Sequence, residues 1–362
     1  MICKVFICKR KEEMTEMNMV HGGDIYRNSV TLDFSVNVNP LGMPEGVKQA
    51  LLEAIEVCNQ YPDIRQQELK TEVGKLNQVL PEHILFGNGA SELFMAIVHA
   101  LQPKKTVIPI PSFYGYEYAA KACESEICYY KMQHLTSEKE AFGMEEELFQ
   151  NLDESVDLLF LANPNNPVGG IVPKEWMERL FAHCRKQDIY VILDECFAEF
   201  CGQEASLLTR YVEFPNVIWV RAFTKIFSIP GVRIGYLING DEKLLKRIER
   251  QLPEWNLSTF AQKAGIACAR EKDFIKQTRK HIETEGEFLT QELERMGLLV
   301  YPYAANFLMV YTEVPLYERL LEKGILIRDC SNFRGLSKGY YRIAIKTREE
   351  NQQLLTRIGE IL

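Results

Sequence analysis

Lys225 closes the segment Val-Ile-Trp-Val-Arg-Ala-Phe-Thr-Lys, just after an apolar run where a solvated lysine has no reason to stand. A lysine stripped of water binds its proton less tightly and becomes a nucleophile toward carbonyl carbon. Eight residues on, in Pro-Gly-Val-Arg-Ile-Gly, Arg233 offers a planar fork of donors suited to a phosphate. Asp194 ends a second apolar run, Tyr-Val-Ile-Leu-Asp, where a carboxylate is costly unless it is paired or hydrogen-bonded. It is either a helix cap or a carboxylate facing a cationic ligand atom. A third run, Leu-Leu-Phe-Leu-Ala, leads into Asn163-Pro164-Asn165-Asn166-Pro167-Val168-Gly169. Two prolines fix φ at two places, and with it the direction of the asparagine amides, which marks a ligand-facing loop. A fourth, His-Ile-Leu-Phe, is followed by Gly87-Asn88-Gly89-Ala90-Ser91-Glu92. Glycines let the backbone approach a phosphate, and a helix N-terminus offers free N–H groups. A tight strand-to-helix turn capped by Ser91 explains the same residues equally well.

These residues all follow short apolar runs, so the runs must position them. Seven runs are visible: His83–Phe86, Thr106–Ile110, Ile127–Tyr130, Leu158–Asn163, Tyr190–Leu193, Val217–Arg221 and Ile234–Ile238. Several lack polar alternation, the pattern of strands buried on both faces. Helical patterns such as Ser91–Leu101 and Glu175–Gln187 lie between them. Alternation of this kind predicts an α/β architecture with a mostly parallel, seven-stranded sheet between helices. After Pro253 the pattern changes. Phe260–Met296 reads as long charged helix, and strands at Leu299–Tyr301, Phe307–Tyr311 and Tyr341–Ile345 beside a helix at Pro315–Lys323 read as a smaller α+β unit. The expected division is an arm at 1–20 that looks mobile, a large domain at 45–250, and a small domain made of 21–44 and 251–362.

In this order, the Gly-Asn-Gly-Ala-Ser-Glu, Asn-Pro-Asn-Asn-Pro-Val-Gly, Asp-Glu-Cys-Phe and Thr-Lys…Pro-Gly-Val-Arg-Ile-Gly elements resemble the fold-type-I aminotransferases that use pyridoxal 5′-phosphate. The resemblance covers nearly the whole chain, and it implies roles residue by residue. Lys225 resembles the lysine that forms a Schiff base with the cofactor. Asp194 resembles the carboxylate that keeps the pyridine nitrogen protonated, and Asn166 the amide that meets the ring hydroxyl. Phe113 sits where an aromatic stacks on the ring, although neighbouring Tyr114 is an alternative and a core position would explain Phe113 as well. Gly89, Ala90, Ser91, Thr224 and Arg233 resemble the phosphate cradle. Tyr61, in Tyr-Pro-Asp, resembles a tyrosine that reaches the phosphate from a partner subunit, which implies a homodimer with shared active sites. Arg342 resembles the arginine that grips a substrate carboxylate. Phe197 departs from the pattern: a tyrosine commonly stands there, and phenylalanine cannot hydrogen-bond the ring oxygen.

Within that family, four stretches resemble the L-threonine-O-3-phosphate decarboxylases of cobalamin biosynthesis. They are His21–Asp24, Leu32–Pro44, the Asp-Glu-Cys-Phe form, and Ile327–Cys330 with Tyr340–Arg342. Asp24 departs from the asparagine usual in that motif. Histidinol-phosphate aminotransferases, on the same scaffold, are the second reading. The resemblance implies a small phosphorylated amino acid or amine as substrate. Arg328 is then the phosphate anchor, or else a surface salt bridge. Gly23, Asn37 and His21 stand as further substrate contacts, His21 otherwise being a plain loop residue.

Composition narrows the alternatives. The 362 residues are 46% hydrophobic and 25% charged, the proportions of a folded globular chain. Lys and Arg number 42 against 50 Asp and Glu, so 42 − 50 = −8, and no global attraction draws it to nucleic acid or anionic membrane. No run approaches membrane-spanning length, and no secretion signal is read at the start. Ten cysteines without a Cys-x-x-Cys pair read as free thiols in a reducing cytoplasm rather than as a metal site or disulfide framework.

Overall fold

All seven expected runs form strands of one sheet in the computed structural model, which describes residues 6–9, 22–136, 140–202 and 205–362. Its central strands Glu126–Lys131, Lys105–Ile110, Leu158–Ala162, Tyr190–Asp194 and Val217–Ala222 are parallel neighbours in that order. Gly235–Ile238 runs antiparallel to Val217–Ala222, and Ile84–Gly87 pairs antiparallel with it at the edge. An eighth strand, Phe6–Lys9, pairs antiparallel with Glu126–Lys131. That corrects the reading of residues 1–20 as an arm apart from the fold: the sheet's open edge offers unpaired backbone groups, and part of the arm pairs with them.

The strands alternate between two cores, as a period of two requires. Val107, Leu159, Leu161, Val191, Val217 and Trp219 face one apolar cluster. Ile108, Ile110, Phe160, Ile192, Ile218 and Val220 face the other. Covering helices include Ala90–Leu101 and Lys174–Lys186. Removing a side chain such as Leu159, which is fully buried, is expected to cost about 2–5 kcal/mol.

A four-stranded sheet follows, in the order Leu299–Val300, Phe307–Tyr311, Tyr340–Ala344, Arg328–Asp329. The expected long helical stretch is two helices, Thr259–Arg270 and Lys272–Arg295. The expected helix near 315–323 is Leu316–Glu322. Short strands escaped the sequence pattern because two residues carry no readable alternation: Leu32–Asp33 pairs with Ile325–Leu326 across nearly the whole chain. That pairing brings the segment around Ser35–Asn37 to the main pocket.

Seven described cysteines, including buried Cys184, Cys201, Cys268 and Cys330, are free thiols. Cys128 departs from the free-thiol reading, being disulfide-bonded. Among the described residues no group of His, Cys, Asp and Glu is arranged to hold a metal ion, and no helix is long and apolar enough to cross a membrane.

Candidate active site

A pocket of about 570 Å³ opens at the C-terminal ends of the parallel strands, where open α/β sheets bind ligands. Lys225, Asp194, Asn166, Thr224, Ala90, Ser91, Phe113 and Arg233 all line it, as do Arg328, Arg342 and Asn37. Strand ends deliver the first group: Asp194 closes Tyr190–Asp194, and Lys225 lies in the short helix Phe223–Ile226 directly after Val217–Ala222.

Burial pushes the Lys225 ammonium down to about 8, and the positive charges of Arg342 and Arg233 add to the shift. A neutral, nucleophilic amine is therefore accessible near neutral pH. Burial pushes the Asp194 carboxyl up, partly offset by the hydrogen bonds it accepts from Cys196 and Tyr116. Its Oδ1 accepts from the Cys196 N–H at 2.9 Å, and its Oδ2 from the Tyr116 hydroxyl at 2.5 Å. No cationic side chain pairs with it among the described residues. The helix-cap reading of Asp194 therefore gives way to a carboxylate held in place and short of a positive partner. The carboxylate of the next residue is paired: the buried Glu195 accepts from the half-buried Arg221 at 2.9 and 2.5 Å. Removing Arg221 would strand that charge at a cost of about 3–5 kcal/mol, so the pair firmly ties the two strand ends that carry Asp194 and Lys225.

The asparagine loop divides its work. Asn163 Nδ2 donates to the Ala205 carbonyl at 2.7 Å, and Asn165 Oδ1 accepts from the Val168 N–H at 3.3 Å. Those two hold the loop. Asn166 alone of the three lines the pocket, and its Oδ1 accepts from the Arg342 guanidinium.

At the start of the Ala90–Leu101 helix, Gly89 has φ 83°, a conformation that favours glycine. A Cβ there would lie 2.4 Å from Arg233 Nη2, so only glycine lets the guanidinium lie against the helix N-terminus. Gly89 itself does not line the pocket; it makes room. Arg233 in turn sits at φ 60°, a strained backbone for arginine of the kind that gathers at functional sites. Phe113 and Tyr114 both line the pocket. Phe113 packs edge-on against Tyr116, and Tyr114 against Tyr118.

Arg342 is buried, stacks 5.5 Å above the Phe307 ring, and donates through Nη2 to the Ser35 carbonyl at 2.8 Å. Burial draws its guanidinium down to about 10, with nearby Arg328 adding to the shift. Among the described residues its Nε has no partner, nor has the buried Oδ1 of Asn37. Arg328 is buried too, donating to Asn332 Oδ1 at 2.8 Å and lying 4.9 Å from the Phe333 ring. It forms no ion pair among the described residues, so the surface-salt-bridge reading of Arg328 is wrong. Gly22 lines the pocket, whereas Gly23 does not; its N–H donates to Ser35 Oγ at 2.7 Å. His21 lies outside the described residues. Tyr61 does not line the pocket of its own chain. It is 83% exposed and packs against Trp255 with ring centres 5.0 Å apart.

The pocket joins a helix N-terminus and an arginine at one side, a half-buried carboxylate without a cation among the described residues, and a lysine of depressed basicity. That set fits pyridoxal phosphate, with its anionic phosphate, cationic ring nitrogen and aldehyde. The sequence matches the aminotransferase class I and II family over residues 29–358. The chain belongs to that family.

As a class I and II aminotransferase family member it is a pyridoxal-phosphate enzyme of fold type I. It is 33% identical to the threonine-phosphate decarboxylase of Salmonella typhimurium, over 96% of this chain and 98% of that one. The histidinol-phosphate aminotransferase structure from Clostridium acetobutylicum superposes with a TM-score of 0.85 at 29% identity, covering 91% of this chain and 98% of that one. The L-threonine-O-3-phosphate decarboxylase from Porphyromonas gingivalis superposes with a TM-score of 0.79 at 26% identity, covering 91% and 98%.

Sequence reasoning missed Tyr116, Ser35, Asn332, Glu117 and Arg334 as pocket residues. A buried tyrosine hydroxyl needs a partner, yet nothing in the sequence says that Tyr116 finds Asp194, 78 positions away.

Proposed function

We propose that this enzyme decarboxylates L-threonine O-3-phosphate to 1-aminopropan-2-ol phosphate, in cobalamin biosynthesis. One observation carries the reading: two buried arginines, Arg342 and Arg328, line the pocket with no carboxylate paired to either among the described residues. A substrate with both a carboxylate and a phosphate supplies two anions for two arginines. The similarity to the Salmonella decarboxylase supports the same choice.

When bound, pyridoxal phosphate supplies an electron sink for the pair left behind when a bond to the substrate's Cα breaks. In this reading Lys225 is the amine that holds the cofactor, and Asp194 faces its ring nitrogen. Tyr116 and the Cys196 N–H keep that carboxylate in place. Asn166 meets the ring hydroxyl, and Phe113 or Tyr114 covers the ring. Ala90, Ser91, Thr224 and Arg233 hold the cofactor phosphate. Arg342 takes the substrate carboxylate through its free Nε, and Arg328 takes the substrate phosphate. Asn37, with its unsatisfied Oδ1, is placed to accept from the substrate amine. Arg342 and Arg328 would choose the reaction by orientation, since together they fix which Cα bond of the substrate is presented to the cofactor's electron sink.

The smaller domain, 21–44 with 251–362, belongs to the same proposal. The four-stranded sheet and the pairing of Leu32–Asp33 with Ile325–Leu326 support it. So does a homodimer. Tyr61 and Trp255 are exposed aromatics, with Leu52, Ile55 and Ile64 exposed as well. A surface like that favours a second copy of the chain, whose pocket Tyr61 would complete. Sedimentation at micromolar concentration should give a dimer; an active monomer contradicts it.

Likeness to the Clostridium histidinol-phosphate aminotransferase favours a second reading, amino transfer from a phosphorylated amine. Supplying L-threonine O-3-phosphate with and without 2-oxoglutarate separates the two. Carbon dioxide released without the oxo acid supports decarboxylation, and strict dependence on it supports amino transfer.

A further inference from the structure

Glu117 and Arg334 stand 217 residues apart and meet at the pocket, which both line. Arg334 Nε donates to Glu117 Oε2 at 2.6 Å and its Nη2 to Oε1 at 2.8 Å, a two-pronged contact. Lys121 Nζ donates to Oε1 at 2.6 Å. Burial pushes the Glu117 carboxyl up, but Arg334 and Lys121 more than offset this and hold it at about 2. The Arg334 guanidinium also lies 4.8 Å from the centre of the Tyr129 ring. The Glu117 side chain is only 8% exposed, so solvent screens this pair less than a surface one.

The two residues belong to segments beside different sheets. Glu117 lies on the helix Tyr114–Ala122 beside the main sheet. Arg334 lies in the loop 331–339, between the strands Arg328–Asp329 and Tyr340–Ala344 of the smaller sheet. Two neighbours of Arg334 in that loop hold Arg328: Asn332 accepts from it and Phe333 stacks against it. Leu336 packs on Met132, Val168, Tyr301 and Met309.

We propose that the Glu117–Arg334 pair is a strap across the pocket that fixes this loop and, through Asn332 and Phe333, positions Arg328 for a substrate phosphate. This rests on the reading of Arg328 as phosphate anchor. Two of the Arg334 nitrogens are taken up by Glu117, so Arg334 is a positioning residue and not itself an anion site.

The test uses loaded wild-type enzyme, Glu117→Gln, Arg334→Met and the double variant. Calorimetry measures binding of L-threonine O-3-phosphate and, separately, of L-histidinol phosphate. Trypsin then probes the loop at Arg334 and Lys338. Each single variant should bind the phosphorylated ligand about tenfold more weakly, the loss of one charge-assisted contact. The double variant should bind no worse than either single, because both act through one strap. Trypsin should cut Glu117→Gln at the loop at least several-fold faster than wild type. Binding needs no turnover, so a wild type that binds the ligand without releasing carbon dioxide sinks the decarboxylase reading and leaves the strap under test. Tighter binding by Glu117→Gln would overturn the strap, since it would mean Arg334 is a direct anchor that Glu117 masks. Unchanged affinity in both singles, or a wild type that binds neither ligand, would overturn it as well.

Discussion

The two ends of the pocket are built differently. At the cofactor end, Lys225 and Asp194 sit at neighbouring strand ends, with Thr224, Arg233, Ala90 and Ser91 close by in their own short segments. At the substrate end, Gly22, Asn37, Arg328, Asn332 and Arg342 come from opposite ends of the chain. Arg342 bonds Ser35 from 307 residues away. The Lys225 amine and the Asp194 carboxyl are both shifted by burial toward their uncharged forms. The Arg342 Nε and Asn37 Oδ1, unpartnered among the described residues, lie at the other end. The first end is therefore a local constellation, and the second a long-range assembly that only the folded chain creates.

That contrast implies a ranking of effects. The largest falls at the cofactor end: Lys225→Ala should lose the visible absorbance of the bound cofactor and its trapping by borohydride, with turnover of every substrate reduced to background. A variant that still gives a reducible adduct would remove Lys225 from its role. Next comes the substrate end. Arg328→Ala should lower kcat/KM for L-threonine O-3-phosphate by about 10–100-fold, the value of a charge-assisted hydrogen bond. Turnover of L-threonine should change little. An equal loss with both substrates would mean that Arg328 acts on the cofactor end.

The smallest effect is in pH. Lys225 titrates near 8 because burial, then Arg342 and Arg233, disfavour its charge. Capture of pyridoxal phosphate by the cofactor-free protein, followed by absorbance, should speed up about tenfold per pH unit below 8 and level off above it. A rate flat between pH 6 and 9 would contradict the shift. The sign for stability follows from the same value. Between about 8 and 10.5 the unfolded chain holds the proton that the folded chain has lost, so the cofactor-free protein should gain stability as pH rises through that window.

The sequence made the cofactor end readable because its residues stand next to apolar runs, Lys225 and Asp194 after them and Arg233 just before one. A strand buried on both faces announces itself, and the residue after it must sit at the sheet's rim. All seven runs and the placement of Lys225, Asp194, Asn166 and Arg233 were legible for that reason. The substrate end was only partly so. Arg342 and Arg328 were visible through resemblance, but the burial that excludes a surface salt bridge for Arg328 depends on Phe333 and on the pairing of two-residue strands. Such strands are too short for periodicity to show. Tyr116 and the Glu117–Arg334 pair had no local signal at all, because their partners are fixed by tertiary contacts across 78 and 217 residues.

The most direct measurement compares L-threonine O-3-phosphate with L-threonine on the loaded enzyme, following carbon dioxide with no oxo acid present. On the proposed reading, phosphate contacts would orient the substrate carboxylate, so binding energy remote from the reacting bond is spent on orientation. The phosphorylated substrate should release one carbon dioxide per amine formed, with kcat as well as KM favouring it. About a thousandfold in kcat/KM is expected from two or three charge-assisted hydrogen bonds. Equal turnover of the two substrates, or no carbon dioxide until 2-oxoglutarate is added, would contradict the account.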